Sequence, residues 1–361
     1  MEAVDELFSH IEKGMRGHNI GVSTGIPKLD NIIFGTQQSY LYTIGADTGS
    51  GKSSLALDVF IYNLVKNGEE IPISIAAYSF EMSASMVLAK LASLYIWDNF
   101  NEIISYKDIL SLTDILSKEK KEFIDKSRIW LNKVSKMLTI YDRALTPGGI
   151  HVTCKDWLKH FGYFEQIDEH TENYVPKDPK RYKIVLIDHI GLIAGPGSKK
   201  EKIDKVADDM IYFRNKCQIT GIFVQQLNRN AKAVDRKTNG YELVQLDDFK
   251  DSSGALDASE VVLALFYPFR EKIAKCEGYP IQNVLKGRFR LLQVLKNRWG
   301  ESDKNIGLNF FGEIGLFKEL PRPEEIGDYS LYLELKPEKI IVPQQMNNSV
   351  DEINSENIFK F

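Results

Sequence analysis

Short apolar runs recur along the chain, bounded by turn residues and separated by stretches of helical periodicity. Tyr40 to Ile44, Ile71 to Phe80, Leu138 to Asp142, Tyr182 to Asp188, Ile219 to Val224, Val261 to Phe266 and Arg290 to Leu295 read as strands. Several are apolar nearly throughout rather than alternating, the pattern of strands buried on both faces of a parallel sheet. Ser54 to Phe60, Met86 to Met137, Val152 to Phe161 and Ile203 to Cys217 read as helical stretches between them. The expectation is an α/β fold with a mostly parallel central sheet. Leu308 to Phe311 and Gly315 to Phe317 add a terminal hairpin-like element, and residues 165–181, polar with Pro176 and Pro179, read as an exposed loop or insertion. Ahead of this domain, Val4, Leu7, Phe8, Ile11 and Met15 recur at helical spacing. The apolar stripe of that amphipathic helix must be covered, either by its own domain or by a neighbouring subunit.

The strongest chemical signal lies between the first strand and the first helix of the domain. Gly45-Ala46-Asp47-Thr48-Gly49-Ser50-Gly51-Lys52-Ser53 has the strand, glycine-rich turn and helix context of a phosphate-binding loop. Glycines let the backbone N–H groups converge on phosphate, and the helix N-terminus adds partial positive charge. Gly49, Ser50, Gly51, Lys52, Ser53 and Ser54 are the candidate cradle, with Lys52 reaching the β- and γ-phosphates and the Ser53 hydroxyl taking a Mg²⁺ position. Ala46 stands where a first glycine is usual, which is acceptable if its φ is negative. Two carboxylates end core strands: Glu81, a candidate base for the attacking water, and Asp188, a candidate support for Mg²⁺. Gln225 and Gln226 end another strand, where an amide can sense a γ-phosphate. His189 is given no role.

Composition narrows the classes. The 361 residues are 43% hydrophobic, enough for a substantial core, and carry a formal net charge of -4, so nucleic-acid contact has to come from local basic loops. Two such loops follow consecutive strands, one with Lys199, Lys200 and Lys202, the other with Arg229, Lys232, Arg236 and Lys237. As a pair they point to phosphate-backbone contact. Lys296 and Arg298 follow a later strand and could reach a nucleotide held by a neighbouring subunit. Cys154, Cys217 and Cys276 are far apart, without metal spacing, and fit buried thiols in a reducing cytoplasm. No apolar run reaches membrane-spanning length, and no secretory leader is read at the N-terminus. After Pro321 the chain turns proline-rich and polar, and weak order is expected there.

The order of these signals resembles the RecA-like ATPase domain of the DnaB-type hexameric replicative helicases. The likeness runs from about Gly21 to Leu320. It is carried by Ser23-Thr24-Gly25, Ala46 to Ser53, Ser79-Phe80-Glu81-Met82, Ile187-Asp188-His189-Ile190, Gln226-Leu227-Asn228-Arg229, Asp251 to Ala255 and Lys296-Asn297-Arg298. It implies a linker helix over residues 1–19, an ATPase domain over 20–320 and a tail over 321–361. It implies ATP and Mg²⁺ as cofactors, Glu81 as catalytic base, Gln226 as γ-phosphate sensor, and Arg298 with Lys296 as a finger offered to the next subunit. It implies that Arg270 and Phe310 flank the adenine. A homo-hexameric ring in the cytoplasm, single-stranded DNA in its channel, and a primase or helicase loader as partner follow from the same likeness. The bacterial members carry a helical domain before the linker helix, so the expectation is a minimal, phage-like form or a domain supplied by another protein. A recombination ATPase of the RecA type and a non-unwinding nucleotide-dependent assembly switch are the alternative readings.

Overall fold

In the computed structural model the apolar runs become strands β1 Leu41–Ala46, β2 Ile73–Ser79, β3 Leu138–Tyr141, β6 Tyr182–Asp188, β7 Ile219–Gln226 and β8 Val261–Phe266, with two further strands, β4 Gly162–Gln166 and β5 Glu172–Pro176, between β3 and β6. The short β9 Lys275–Cys276 and β10 Tyr279–Pro280 follow, then β11 Phe289–Asn297, β12 Lys304–Phe311 and β13 Leu316–Glu319. The helices are α1 Glu2–Met15, α2 Pro27–Ile33, α3 Lys52–Leu57, α4 Asn63–Asn67, α5 Ala84–Phe100, α6 Tyr106–Ile109, α7 Lys118–Ser135, α8 Pro147–Lys159, α9 Lys199–Cys217, α10 Ser253–Ala258 and α11 Ser330–Leu333. The structure describes residues 2–15, 21–68, 71–169, 171–227 and 243–336.

The main sheet has nine strands in the order β13-β12-β11-β8-β1-β7-β6-β2-β3. From β3 through β8 every pairing is parallel, while β11, β12 and β13 are added antiparallel. Side chains alternate across the sheet. Tyr42, Ile44, Ile75, Ala77, Ile184 and Leu186 pack into one core with Phe60, Leu64, Leu91 and Val134. Their neighbours Leu41, Ala76, Tyr78, Val185 and Ile187 pack on the opposite face with Trp157, Leu158, Met210 and Phe213. Burial on both faces is why these strands lack polar alternation. The three cysteines are buried free thiols.

The structure departs from the sequence expectation in several places. The stretch 165–181 is not an open loop. It holds most of the hairpin β4–β5, pinned where Lys155 and Tyr212 donate to Glu172 Oε1 at 2.6 and 2.7 Å. The helix expected from Ile203 begins at Lys199, because Ser198 and Glu201 close a capping box. Folded chain also continues past Pro321: Ile326, Tyr329, Tyr332 and Leu333 pack on a third apolar cluster under β8 and β11. The rest of the tail, 337–361, lies outside the described residues.

The helix after the phosphate loop is continuous through a π turn at Asp58–Tyr62. Asp58 is 1% exposed and accepts from the Phe317 N–H at 2.8 Å and from Asn63 Nδ2 at 3.0 Å, tying β13 to this helix. Burial pushes the Asp58 carboxyl up to about 7, against the opposing pull of the Phe317 N–H. The folded state therefore holds a proton here that the unfolded chain has released. Stability falls as pH rises between the ordinary aspartate range and about 7. Asp58→Asn should flatten the decline of Tm between about pH 5 and 8 measured by thermal scans. An unchanged slope would remove Asp58 as its source.

Candidate nucleotide site

Register brings the chemical groups to one edge. Ala46 pairs with Gln226 across β1 and β7, and Ser79 pairs with Asp188 across β2 and β6. The loop after β1, the turn after β2 and the ends of β6 and β7 thus emerge together at the carboxyl edge, where open α/β sheets bind ligands. Ala46 is a buried strand residue outside the positive-φ set, so the methyl group is accommodated. Gly45 is demanded by packing: a Cβ there would lie 2.2 Å from the Phe249 ring. Gly51 has φ 103°, a left-handed conformation that starts α3 directly from the loop.

Lys52, Glu81, Asp188 and His189 form one cluster. Lys52 Nζ donates to Glu81 Oε2 at 2.7 Å, with the lysine 8% exposed. The other carboxylate oxygen, Oε1, lies 3.2 Å from His189 Nε2. His189 Nδ1 accepts from the Gly191 N–H at 3.1 Å, so the proton belongs on Nε2, which donates to Glu81. Burial, Lys52 and Lys199 hold the imidazole pKa below the usual histidine range despite Glu81 nearby. His189 therefore orients the candidate base, a role its sequence position does not reveal.

Asp188 is 2% exposed, and burial raises its carboxyl pKa while Lys52 and the Ser53 hydroxyl pull it down. Its Oδ1 and the Ser50 hydroxyl are buried without a hydrogen-bond partner among the described residues. The Ser53 hydroxyl beside the buried Asp188 carboxylate is a hard oxygen donor set that fits Mg²⁺. Among the described residues no group of three or more His, Cys, Asp and Glu side chains is placed to hold a metal ion by itself.

The loop is also held from below. Arg290 is 3% exposed, donates from Nε to the Ser50 carbonyl at 2.6 Å, and lies 3.5 Å from the centre of the Tyr267 ring. Burial lowers its pKa to about 10. Its sequence signal is a cation inside an apolar strand, which by itself reads only as a strand residue. Phe310 stacks on Phe317 at 4.4 Å, and both rings lie under Gly51. Arg270 donates to the Thr48 carbonyl. The two residues expected to flank the base thus both border the loop. Lys90 of α5 reaches the Ser54 hydroxyl at 3.4 Å, a contact that no motif in the sequence marks.

The other expected residues lie outside this cluster, some at the same edge and some far from it. Gln226 is exposed at the end of β7. Lys199, Lys200 and Lys202 occupy the first turn of α9, where Lys200 pairs with Asp204 at 2.7 Å and Lys202 donates to the Ile193 carbonyl at 2.8 Å. Arg229, Lys232, Arg236 and Lys237 lie outside the described residues. Lys296 and Arg298 are at the far edge of the sheet. Because β11 runs antiparallel to β8, Asn297 pairs with Val261, the first residue of β8. That end is separated from the phosphate-loop edge by the length of β8, on the order of 20 Å.

Comparison with known proteins places the fold in context. A model of the DnaB-like helicase C terminal domain matches residues 21–146, the part carrying the phosphate loop and Glu81. The replicative DNA helicase DnaB of Helicobacter pylori strain J99 is 24% identical over 278 residues, covering 73% of this chain and 48% of the relative. That of Rickettsia typhi is 23% identical over 276 residues, covering 73% and 49%. The chain resembles the DnaB-type helicases. It spans about half the length of the curated DnaB relatives it matches. Among solved structures, one ATPase domain aligns with TM-score 0.65 and 17% identity, covering 88% of this chain and 99% of that one. A DnaB-like replicative helicase, solved to show its interactions with primase, aligns with TM-score 0.64 and 18% identity, covering 89% and 66%. The fold is the RecA-like ATPase fold.

Arg290→Met should leave the Ser50 carbonyl buried without its donor and loosen the loop. Affinity for a fluorescent ATP analogue is expected to fall about tenfold or more, with Arg290→Lys intermediate. Wild-type affinity in the methionine variant would show that the loop holds its shape without this contact.

Proposed function

We propose that this chain is the motor domain of an ATP-driven replicative DNA helicase. Copies assemble in a ring, a hexamer by likeness to the DnaB type, and hydrolyse ATP between subunits while moving along single-stranded DNA to separate the duplex. The observation that carries this reading is the split of the catalytic groups. Lys52, Ser53, Glu81 and Asp188 share one edge of the sheet, while Arg298 and Lys296 lie at the other, beyond reach of their own phosphate loop. A head-to-tail ring joins those two edges between neighbours.

Each group then has a task. The loop N–H groups and Lys52 hold the β- and γ-phosphates. Lys52 turns from Glu81 to phosphate, and Glu81, still oriented by His189, takes the proton of the attacking water. Mg²⁺ held at Ser53 and Asp188 would offset charge on the phosphate oxygens. Gln226 reads the γ-phosphate from the end of β7. Arg298 of the neighbour stabilises the charge spread over the transferring phosphoryl group, worth about 10³-fold or more. The first turn of α9, rich in lysine, lies at the same edge as the loop and, with the basic residues that follow β7 in the sequence, would supply DNA phosphate contacts. A primase is proposed as a partner on the likeness to the helicase solved with its primase interactions.

The helix α1 supports assembly. Val4, Leu7, Phe8, Ile11 and Met15 are all exposed on it, between 47% and 84%. We assign this face to a neighbouring copy. Leu7→Asp with Phe8→Asp should shift the particle from ring mass toward monomer by light scattering while leaving Tm within about 2 °C. Intact rings would remove α1 from the interface.

The reading is tested by steady-state ATP hydrolysis with and without single-stranded DNA. Wild-type turnover is expected to be strongly DNA-stimulated. Glu81→Gln and Arg298→Ala should each lose at least about 10²-fold in kcat while still binding nucleotide. Hydrolysis indifferent to DNA would contradict the motor, and wild-type turnover in Arg298→Ala would contradict the finger.

A further inference from the structure

Glu260 sits where the chain enters β8, 4% exposed, at the far edge of the sheet. Its Oε2 accepts from the Leu41 N–H at 2.7 Å. Its Oε1 is shared by two guanidinium groups, Arg214 Nη1 at 2.7 Å and Arg298 Nη1 at 3.2 Å. The two arginines differ in environment: the Arg214 side chain is 18% exposed and the Arg298 side chain 45%. The Arg298 backbone is fixed, its N–H donating to the Glu260 carbonyl at 2.9 Å, so the side chain alone is free to swing.

We propose that Glu260 is a positioning residue that seats Arg298 between catalytic events, and that Arg214 makes the seat releasable. This rests on the reading of Arg298 as a finger acting on a neighbour's nucleotide. Breaking a buried ion pair is costly when it strands a charge. Here it does not. When Arg298 leaves, Glu260 keeps Arg214 and the Leu41 N–H, so the buried carboxylate stays satisfied. The outer guanidinium, more exposed and at the longer distance, is the one that can depart. Seated and delivered finger are then two states of similar free energy, and small differential contacts shift their balance.

Arg214 also gives the seat a mechanical address. It lies near the end of α9, whose first turn carries Lys199, Lys200 and Lys202 at the opposite edge. The 19 residues of this helix span about 28 Å. A displacement of α9 by DNA at its lysine-bearing end moves Arg214 against Glu260 at the other. DNA occupancy and finger release are linked through one rigid element and one shared oxygen.

The test compares two substitutions expected to act in opposite directions. Glu260→Gln keeps an acceptor but removes the charge, so the finger is released. Turnover without DNA should rise about fivefold, and the DNA stimulation ratio should fall by a similar factor. Arg214→Met leaves Arg298 as the sole guanidinium on Glu260, so the finger is held. DNA-stimulated kcat should fall about tenfold or more, with KM for ATP within about twofold of wild type. Arg214→Met retains Glu260 and so reads the seat even if Glu260→Gln fails to fold. If both variants lose activity in parallel, or neither changes the DNA stimulation ratio, Glu260 is a structural bridge only and the proposal is overturned. Arg298→Ala run alongside separates the two levels. Full turnover in that variant overturns the finger and the seat together, whereas its inactivation with parallel changes in the other two overturns the seat alone.

Discussion

Parallel register is the constraint on which the rest of the molecule depends. Six neighbouring strands point one way, so Ala46, Ser79, Asp188 and Gln226 finish at one edge without any contact between them being needed to set their height. The loop, the candidate base Glu81 and the buried carboxylate of Asp188 are delivered by backbone hydrogen bonding and by side chains locked in two dry cores. The same register, reversed once at β11, sends Arg298 to the opposite edge. On the reading proposed above, a subunit built this way holds most of a phosphoryl-transfer site and needs a neighbour to complete it.

Within the site, the groups satisfy one another. Lys52 and His189 both donate to Glu81, so a carboxylate that would otherwise be partly desolvated beside a buried aspartate is held in one orientation. Asp188 keeps a buried oxygen without a partner among the described residues, and its pKa is pushed upward by burial. A buried acceptor without a donor costs free energy that a bound cation would recover, so on the reading proposed above the least satisfied atom of the cluster is where charge would be added. Arg290 plays the reverse part beneath the loop. It is a buried cation with several carbonyl acceptors and an aromatic partner, and it fixes the loop backbone rather than the ligand.

Two-sided burial makes the fold legible in the sequence, because it leaves unbroken apolar runs. The runs Tyr182–Asp188 and Val261–Phe266 coincide with β6 and β8 to the residue. The phosphate loop is equally plain, since its chemistry requires glycines, lysine and serine in fixed order. Other features are not legible. His189 acts through tautomer and ring position, which no spacing encodes. Arg290 reads as an interruption of a strand until the loop is seen above it. The hairpin β4–β5 has proline and polar residues that read as loop, and it is held by Glu172, Lys155 and Tyr212, which are distant in sequence. Lys199 reads as loop because three lysines near a helix N-terminus oppose the helix dipole, yet the Ser198–Glu201 capping box decides the boundary.

On the reading proposed above, each nucleotide site is shared between two copies of this chain, with the phosphate loop from one and Arg298 from the next. Mixing subunits tests it directly. Lys52→Ala subunits lack the loop lysine and Arg298→Ala subunits lack the finger, so each preparation alone should be inactive. Co-assembled in equal amounts, about a quarter of the interfaces join an intact loop to an intact finger, and DNA-stimulated ATP hydrolysis should return to a comparable fraction of wild type. Mixed assemblies, verified by mass, that stay as inactive as either parent would contradict a site shared between subunits.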